Sequence, residues 1–178
     1  MNLDCGFEKE NNWFRYRAGA IIINDNKMLF VKSAIGDYYY MIGGGVHLGE
    51  TSPNCIEREV LEETGVKADI LKYLGEIHYT FKENWDENRA VHKTVFWYLM
   101  QAKNMNTVPQ KEEGFIDAKF IHLDRVVDLA RYDDEKEIIK VALDEIKKRI
   151  KKKPKKNKKK KIRKKNKIEK VGLFRLFL

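Results

Sequence analysis

The sequence predicts an α/β fold, a mixed sheet with helices on its faces. Runs rich in β-branched and aromatic residues stand on both sides of one capped helical segment. A second, longer helical pattern follows the last of them, with its acids first and its bases last. Strands, one central helix, more strands and a terminal helix call for a sheet covered by helices.

The elements follow in chain order. "FRYRAGAIIIND" (14–25) and "KMLFVKS" (27–33) form a β-hairpin with its turn at Asn24 to Asn26. "DYYYMI" (37–42) is a short strand that runs into a glycine turn, Gly43-Gly44-Gly45. The central helix follows, with Ser52 as its cap, Pro53 at the first helical position and Gly65 as its left-handed stop. Ile56 and Val60, four apart, are its buried edge. "ADILKYLGEIHYTFK" (68–82) and "AVHKTVFWYLMQAK" (90–103) are long strands joined by a polar loop, "ENWDENR" (83–89). "DAKFIHLD" (117–124) is the last strand, a short helix lies near 124–131, and "DDEKEIIKVALDEIKKRI" (133–150) is a helix burying Ile138, Val141, Ala142 and Ile150.

With 178 residues the chain supports one domain with a full core. Its net charge of +9 conceals a split. Residues 1–146 hold 18 Lys+Arg against 26 Asp+Glu, net −8, whereas residues 147–178 hold 18 bases and one acid, Glu169, net +17. An acidic domain, 1–146, with a basic tail, 147–178, is the expected organisation. Two cysteines, Cys5 and Cys55, make no disulfide framework and no zinc spacing. Neither a signal-peptide pattern at the N-terminus nor an 18-residue apolar run is found, so a cytoplasmic setting without stable membrane insertion is expected.

The central helix carries Glu57, Arg58, Glu59, Glu62 and Glu63 within seven residues. Like charges at helical spacing repel by about 0.2–0.5 kcal/mol per pair. Glu59, Glu62 and Glu63 share one helix face, with only Arg58 at its edge to offset them, and Glu50 in the preceding turn can reach the same space. A solvated charged face has mixed signs, which this sector lacks. A divalent cation removes the repulsion, and oxygen-only ligands select a hard ion, Mg²⁺ or Mn²⁺. Such ions pair with substrate phosphates, which points to phosphate chemistry with an activated water.

From Gly44 the pattern is Gly44, Glu50, Arg58-Glu59-Val60, Glu62-Glu63 and Gly65-Val66. It resembles the Nudix box, G-x5-E-x7-R-E-U-x-E-E-x-G-U with U apolar, at all nine positions. Chance agreement in a chain of this length has odds on the order of 10⁻⁷. The resemblance implies an α/β/α sandwich and a metal-dependent hydrolase of the MutT-like superfamily. Such an enzyme cleaves the pyrophosphate of a nucleoside diphosphate bonded to another group. It further implies that Glu59, Glu62 and Glu63 hold metal, that Glu50 assists, that Gly44 offers its carbonyl and that Arg58 orients the acids. An acid from a downstream loop often completes such sites; Glu113 is the expected one and Glu112 its neighbour. Ile42 and His47 depart from the residues common beside the box, and neither breaks it.

Arg17, with Gly44 and Gly45, is the expected substrate-binding set; Arg15 and the Tyr38-Tyr39-Tyr40 run are weaker candidates for a phosphate or base contact. Trp85 is a candidate lid contact, and Trp97 reads as core. His78, His92 and His122 lack ligand spacing. No subfamily signature is present, and Tyr79 lies too near the box for the dinucleoside polyphosphate pattern. The tail, 17 bases in residues 147–170, suits RNA or another polyanion, or an anionic membrane, or has no fixed partner. Two alternatives to the small-nucleotide enzyme stand: a non-catalytic nucleotide- or RNA-binding module of the same fold, and an RNA decapping enzyme.

Overall fold

The computed structural model describes residues 4–36, 38–83 and 86–152. Trp85 and the basic stretch from residue 153 onward lie outside the described residues.

Eight strands build one sheet. They are β1 (Gly6–Lys9), β2 (Asn12–Asn24), β3 (Lys27–Ser33), β4 (Tyr39–Tyr40), β5 (Ile42–Gly45), β6 (Ala68–Glu83), β7 (Asp86–Ala102) and β8 (Phe115–His122). Helices α1 (Ser52–Thr64), α2 (Val126–Leu129) and α3 (Asp133–Lys152) accompany them. The strand order is β4-β3-β2-β7-β6, with β1 and β5 added on β2 and β8 on β3. β2 and β7 run parallel, the other pairs antiparallel, so the sheet is mixed as expected. The sheet, α1 and α2 belong to one compact unit that runs to Leu143; Asp144 begins a second.

Both faces are covered. Ala18, Ala20 and Ile22 of β2 join Cys55, Ile56 and Val60 of α1 in one apolar cluster. Their alternates point the other way, and Ile21 and Leu99 there are also buried. Val126 of α2 and Ile138, Ile139 and Ala142 of α3 are buried as well, outside the first cluster.

Several boundaries differ from expectation. Gly43, Gly44 and Gly45 are strand, not turn: β5 pairs them with Gly19, Ala18 and Arg17. α1 is capped by Thr51, whose side chain accepts from the Asn54 N–H at 3.4 Å, while Ser52 is already helical and shares a 2.7 Å bond with the Tyr98 hydroxyl. The predicted 83–89 loop is mostly strand, because β7 starts at Asp86 and pairs back to Glu83. In α3, Val141 and Ile150 are 47% and 58% exposed, and Ile139 takes the buried place. The stripe is centred on Ile138, Ile139 and Ala142, and Val141 falls on its outer flank. β1 carries no sequence signal of its own; it exists by pairing with β2. Gly65 ends α1 as expected, left-handed at φ 68°, with its N–H on the Leu61 carbonyl.

Both cysteines are free. Among the described residues no helix is long and apolar enough to cross a membrane.

Candidate active site

α1 packs on the face of the sheet where β5 joins β2, and this places Glu63 against Gly43, Glu59 against Gly44 and Arg58 against Gly45. Glycine is needed there for close approach rather than for turning. A Cβ on Gly44 would fall on the Glu59 carboxylate, and one on Gly43 would fall on the Ala18 carbonyl.

Arg58 is the hub. Its Nε and Nη2 donate to the two oxygens of Glu50, each at 3.0 Å, a bidentate pair. Nη1 donates to Glu59 at 2.7 Å and to Glu62 at 3.0 Å, and Nη2 reaches the Gly45 carbonyl at 3.1 Å. Glu50 also accepts the His47 N–H at 3.0 Å, so the turn ahead of α1 is tied into the cluster. One guanidinium therefore gathers three of the four predicted carboxylates. Among the described residues no three His, Cys, Asp or Glu side chains close up into an ion-binding group by themselves, because Arg58 stands between them.

Environment separates the acids. The Arg58 guanidinium holds Glu50 below the usual carboxylate range. Burial pushes Glu59 up, against the opposing pull of Arg58. Glu63 is the extreme case. It is 4% exposed, and burial, then Glu59, then Glu113 raise its pKa to about 8. The Gly43 N–H donates to this carboxylate, yet Oε2 is buried and has no partner among the described residues. A buried oxygen without a donor costs on the order of 1–3 kcal/mol. The neighbouring carboxylates make a cation the fitting partner for it, and the all-oxygen donor set fits Mg²⁺ or Mn²⁺.

The other predicted residues divide. Arg17 donates to the Gly43 carbonyl at 3.0 Å, and its charge acts on both Glu59 and Glu63. Glu113, exposed in a 3₁₀ turn at Lys111–Glu113 that also holds Glu112, faces Glu63 electrostatically. Arg15 is engaged elsewhere, at 2.7 Å from Asp4 and stacked on Trp13. Tyr38 lies against Tyr40, tilted by 50°, with Arg131 over its ring, and the Tyr39 hydroxyl donates to Asp117. His78 bonds Thr94 and Glu76, His92 bonds Thr80 and Asn12, and His122 bonds Asp124, all structural contacts. Cys55 escaped the sequence reading. It lies under the site, its Sγ 3.3 Å from the Gly45 carbonyl, with burial raising its thiol to about 12.

Two expectations follow. Gly44→Ala should leave the melting temperature within a few degrees of wild type, since the Glu59 carboxylate can swing aside, but it should cut activity about tenfold or more by displacing Glu59. Gly43→Ala meets backbone instead and should cost about 1–3 kcal/mol of stability. Paired thermal melts and activity measurements on the two variants test this contrast.

The second concerns pH. Folded Glu63 keeps its proton to about 8, whereas the unfolded chain releases it near 4.5. Its contribution to stability is therefore complete below pH 4.5 and is lost as the pH rises through about 8. In chelator, the melting temperature should fall across that window and Glu63→Gln should flatten the fall; equal slopes in both proteins would contradict it.

A NUDIX domain family model matches residues 13–143. The chain is 32% identical over 99 residues to a protein designated MutT4 in Mycobacterium tuberculosis, covering 56% of this chain and 38% of that one. It is 27% identical over 106 residues to the NAD-capped RNA hydrolase NudC of Pseudomonas syringae pv. tomato, covering 58% and 34%. The matched part thus spans little more than a third of these two relatives. The crystal structure of a MutT NUDIX hydrolase from Burkholderia pseudomallei shares the fold, with TM-score 0.56 and 19% identity, covering 71% of this chain and 96% of that one.

Proposed function

Because the chain belongs to the Nudix domain family, we propose that it hydrolyses the pyrophosphate linkage of a nucleoside diphosphate bonded to a second group, with Mg²⁺ or Mn²⁺ as cofactor. The observation that carries this reading is the carboxylate cluster around Arg58, with the unpartnered Glu63 Oε2 beside it. Glu59, Glu62 and Glu63 would hold the cation, with Glu50 and the Gly44 carbonyl as further oxygens. When bound, the cation supplies charge neutralisation on the phosphoryl oxygens and lowers the pKa of water.

The chain's own groups do the rest. Arg58 fixes the carboxylates in place. Arg17, beside Glu59 and Glu63, and the backbone of half-buried Gly45 next to buried Gly44 position the diphosphate. Glu113 takes a proton from water as the water oxygen attacks phosphorus and the bridging P–O bond breaks. Two phosphomonoesters leave, one of them carrying the nucleoside. We assign this work to residues 1–146 and treat 147–178 as an appended basic segment.

The test is product release with Mg²⁺ from ADP-ribose, diadenosine polyphosphates, sugar nucleotides, (d)NTPs and capped RNA. No cleavage of any of them would favour the non-catalytic binding module. A second reading, RNA 5′-end hydrolysis, draws on the NudC relative and on a relative described as an RNA pyrophosphohydrolase from Acinetobacter baylyi, 25% identical over 108 residues and matched over 60% of either chain. The basic tail would then raise affinity for RNA. Truncation after residue 146 should slow capped-RNA cleavage and spare small nucleotides; equal effects on both would set this reading aside.

A further inference from the structure

The sheet ends in a long open edge. β6 closes the strand order and, among the described residues, pairs with β7 alone. Its other side therefore turns a row of backbone N–H and C=O groups outward, a ready template for one more strand. Two irregularities bound the regular part of that edge. The register shifts between Tyr73 and Gly75, where Gly75 stands at φ 133°, and again between Lys82 and Glu83. Between them, Glu76 to Lys82 face Phe96 to Ala90 residue by residue. Every residue of that run except half-buried Ile77 is exposed.

The run Glu76-Ile77-His78-Tyr79-Thr80-Phe81-Lys82 is complementary to its own reverse. Turned antiparallel about Tyr79, it sets Glu76 opposite Lys82, Ile77 opposite Phe81, His78 opposite Thr80 and Tyr79 opposite its own copy. Directly opposite residues share a face, so opposite charges meet on one face and apolar side chains on the other. Within one chain Glu76 and Lys82 stand about 20 Å apart along the extended strand and cannot reach each other. Glu76 accepts from the Tyr73 hydroxyl at 3.3 Å and meets His78 at 3.1 Å, and at 46% exposure it has room for a further donor. Lys93 of β7 holds its ammonium 6.0 and 4.7 Å from the Tyr79 and Phe81 ring centres, yet those residues stay 40% and 39% exposed. β8, which also pairs with one strand, differs. Its Asp117 and Lys119 already meet at 3.4 Å, and Tyr39 bonds the first and lies under the second.

We propose that a second copy of this chain docks on this edge, β6 against β6, antiparallel about a twofold axis at Tyr79. The contact is isologous. Backbone hydrogen bonds along the run join the two sheets into one, and a Glu76–Lys82 ion pair closes it at either end. The twofold axis of such a pair is perpendicular to the sheet. Arg17 shares a row with Val95 and Ile77, so the Arg17 faces of both copies lie on the same side. A seven-residue edge is at the small end of specific interfaces, so the dimer forms in the micromolar range and its population follows protein concentration. The inference concerns assembly and holds whether or not the carboxylate cluster is a hydrolytic site.

Sedimentation velocity of the full chain, from low to high micromolar concentration, tests it. Wild type should pass from the 21.1 kDa monomer to twice that mass as concentration rises. Glu76→Lys and Lys82→Glu should each weaken self-association about tenfold or more, because like charges then face each other at both ends. The double variant Glu76→Lys/Lys82→Glu should regain the dimer. Thermal melts of the same samples check that these exposed substitutions leave the fold intact. In an oxidising glutathione buffer, with wild type as the blank, Tyr79→Cys should form an intermolecular disulfide. Directly opposite Cα atoms of an antiparallel pair lie about 4.5–5.5 Å apart, within disulfide reach. Ile77→Cys, facing Phe81 of the second copy, should not cross-link. A chain monomeric throughout, self-association unchanged by both single charge reversals, a double variant that stays monomeric, or Ile77→Cys cross-linking as readily as Tyr79→Cys would overturn the proposal.

Discussion

Glu62→Gln should reduce turnover at least about a hundredfold and leave the fold unchanged. The side chain is 46% exposed and makes one 3.0 Å bond, to Arg58, that a glutamine oxygen can also accept. Surface changes of this kind shift stability by no more than about 0.5 kcal/mol. What the substitution removes is a negative oxygen facing the proposed ion, and groups that only support metal ligands already cost 10- to 100-fold when changed. Glu57→Gln, on the exposed side of the same helix, is the control and should behave as wild type. The measurement is the turnover number of both variants on the substrate that the release panel selects, together with calorimetric titration of Mg²⁺. Wild-type turnover in Glu62→Gln would remove Glu62 from the proposed machinery.

Arg58→Ala should be the most destabilising change in the site. It leaves Glu50 and Glu59, whose side chains are only 16% and 12% exposed, facing each other and Glu62 without a counter-charge. Breaking a buried ion pair from one side costs about 3–5 kcal/mol. With Arg58 itself 23% exposed, water screens part of this, so a loss of about 2–3 kcal/mol is expected. Arg58→Lys should recover little, because one ammonium cannot hold two oxygens of Glu50 and also bridge to Glu59 and Glu62. Mg²⁺ should restore stability to the alanine variant more than to wild type. The acid side of the stability curve should change as well. Glu50 is held below its ordinary range by Arg58, so its contribution is present above that range and fades as the pH falls through its lowered value. Without Arg58 that acid-side loss should shrink. Urea titrations between pH 3 and 7, with and without Mg²⁺, measure both effects.

The carboxylate helix could be read from sequence because its logic is local. Like charges at helical spacing need a partner, and Pro53, Ile56, Val60 and Gly65 fix the helix that carries them. Arg58 as pair for Glu62 was legible for the same reason, whereas its tighter grip on Glu50 depends on how the turn folds back. The glycines misled because a glycine run looks like a turn until the neighbouring atoms are known. Their lack of side chains answers to Glu59 and Ala18, and Ala18 lies 26 residues earlier than Gly44. Thr51 and Ser52 are both able to cap, and the hydroxyl of Tyr98 decided between them by engaging Ser52.

β2 pairs with β1, β3, β5 and β7, and its parallel partner lies far along the chain, Ile23 opposite Gln101 at a sequence separation of 78. Closing so long a loop exacts its entropic penalty before the contact returns anything. During synthesis the N-terminal hairpin can form at once, but the strand that carries Arg17 stays open along one edge until residue 101 has emerged. Refolding should accordingly be slow for the chain's length, and the nascent protein has most need of a chaperone in that interval.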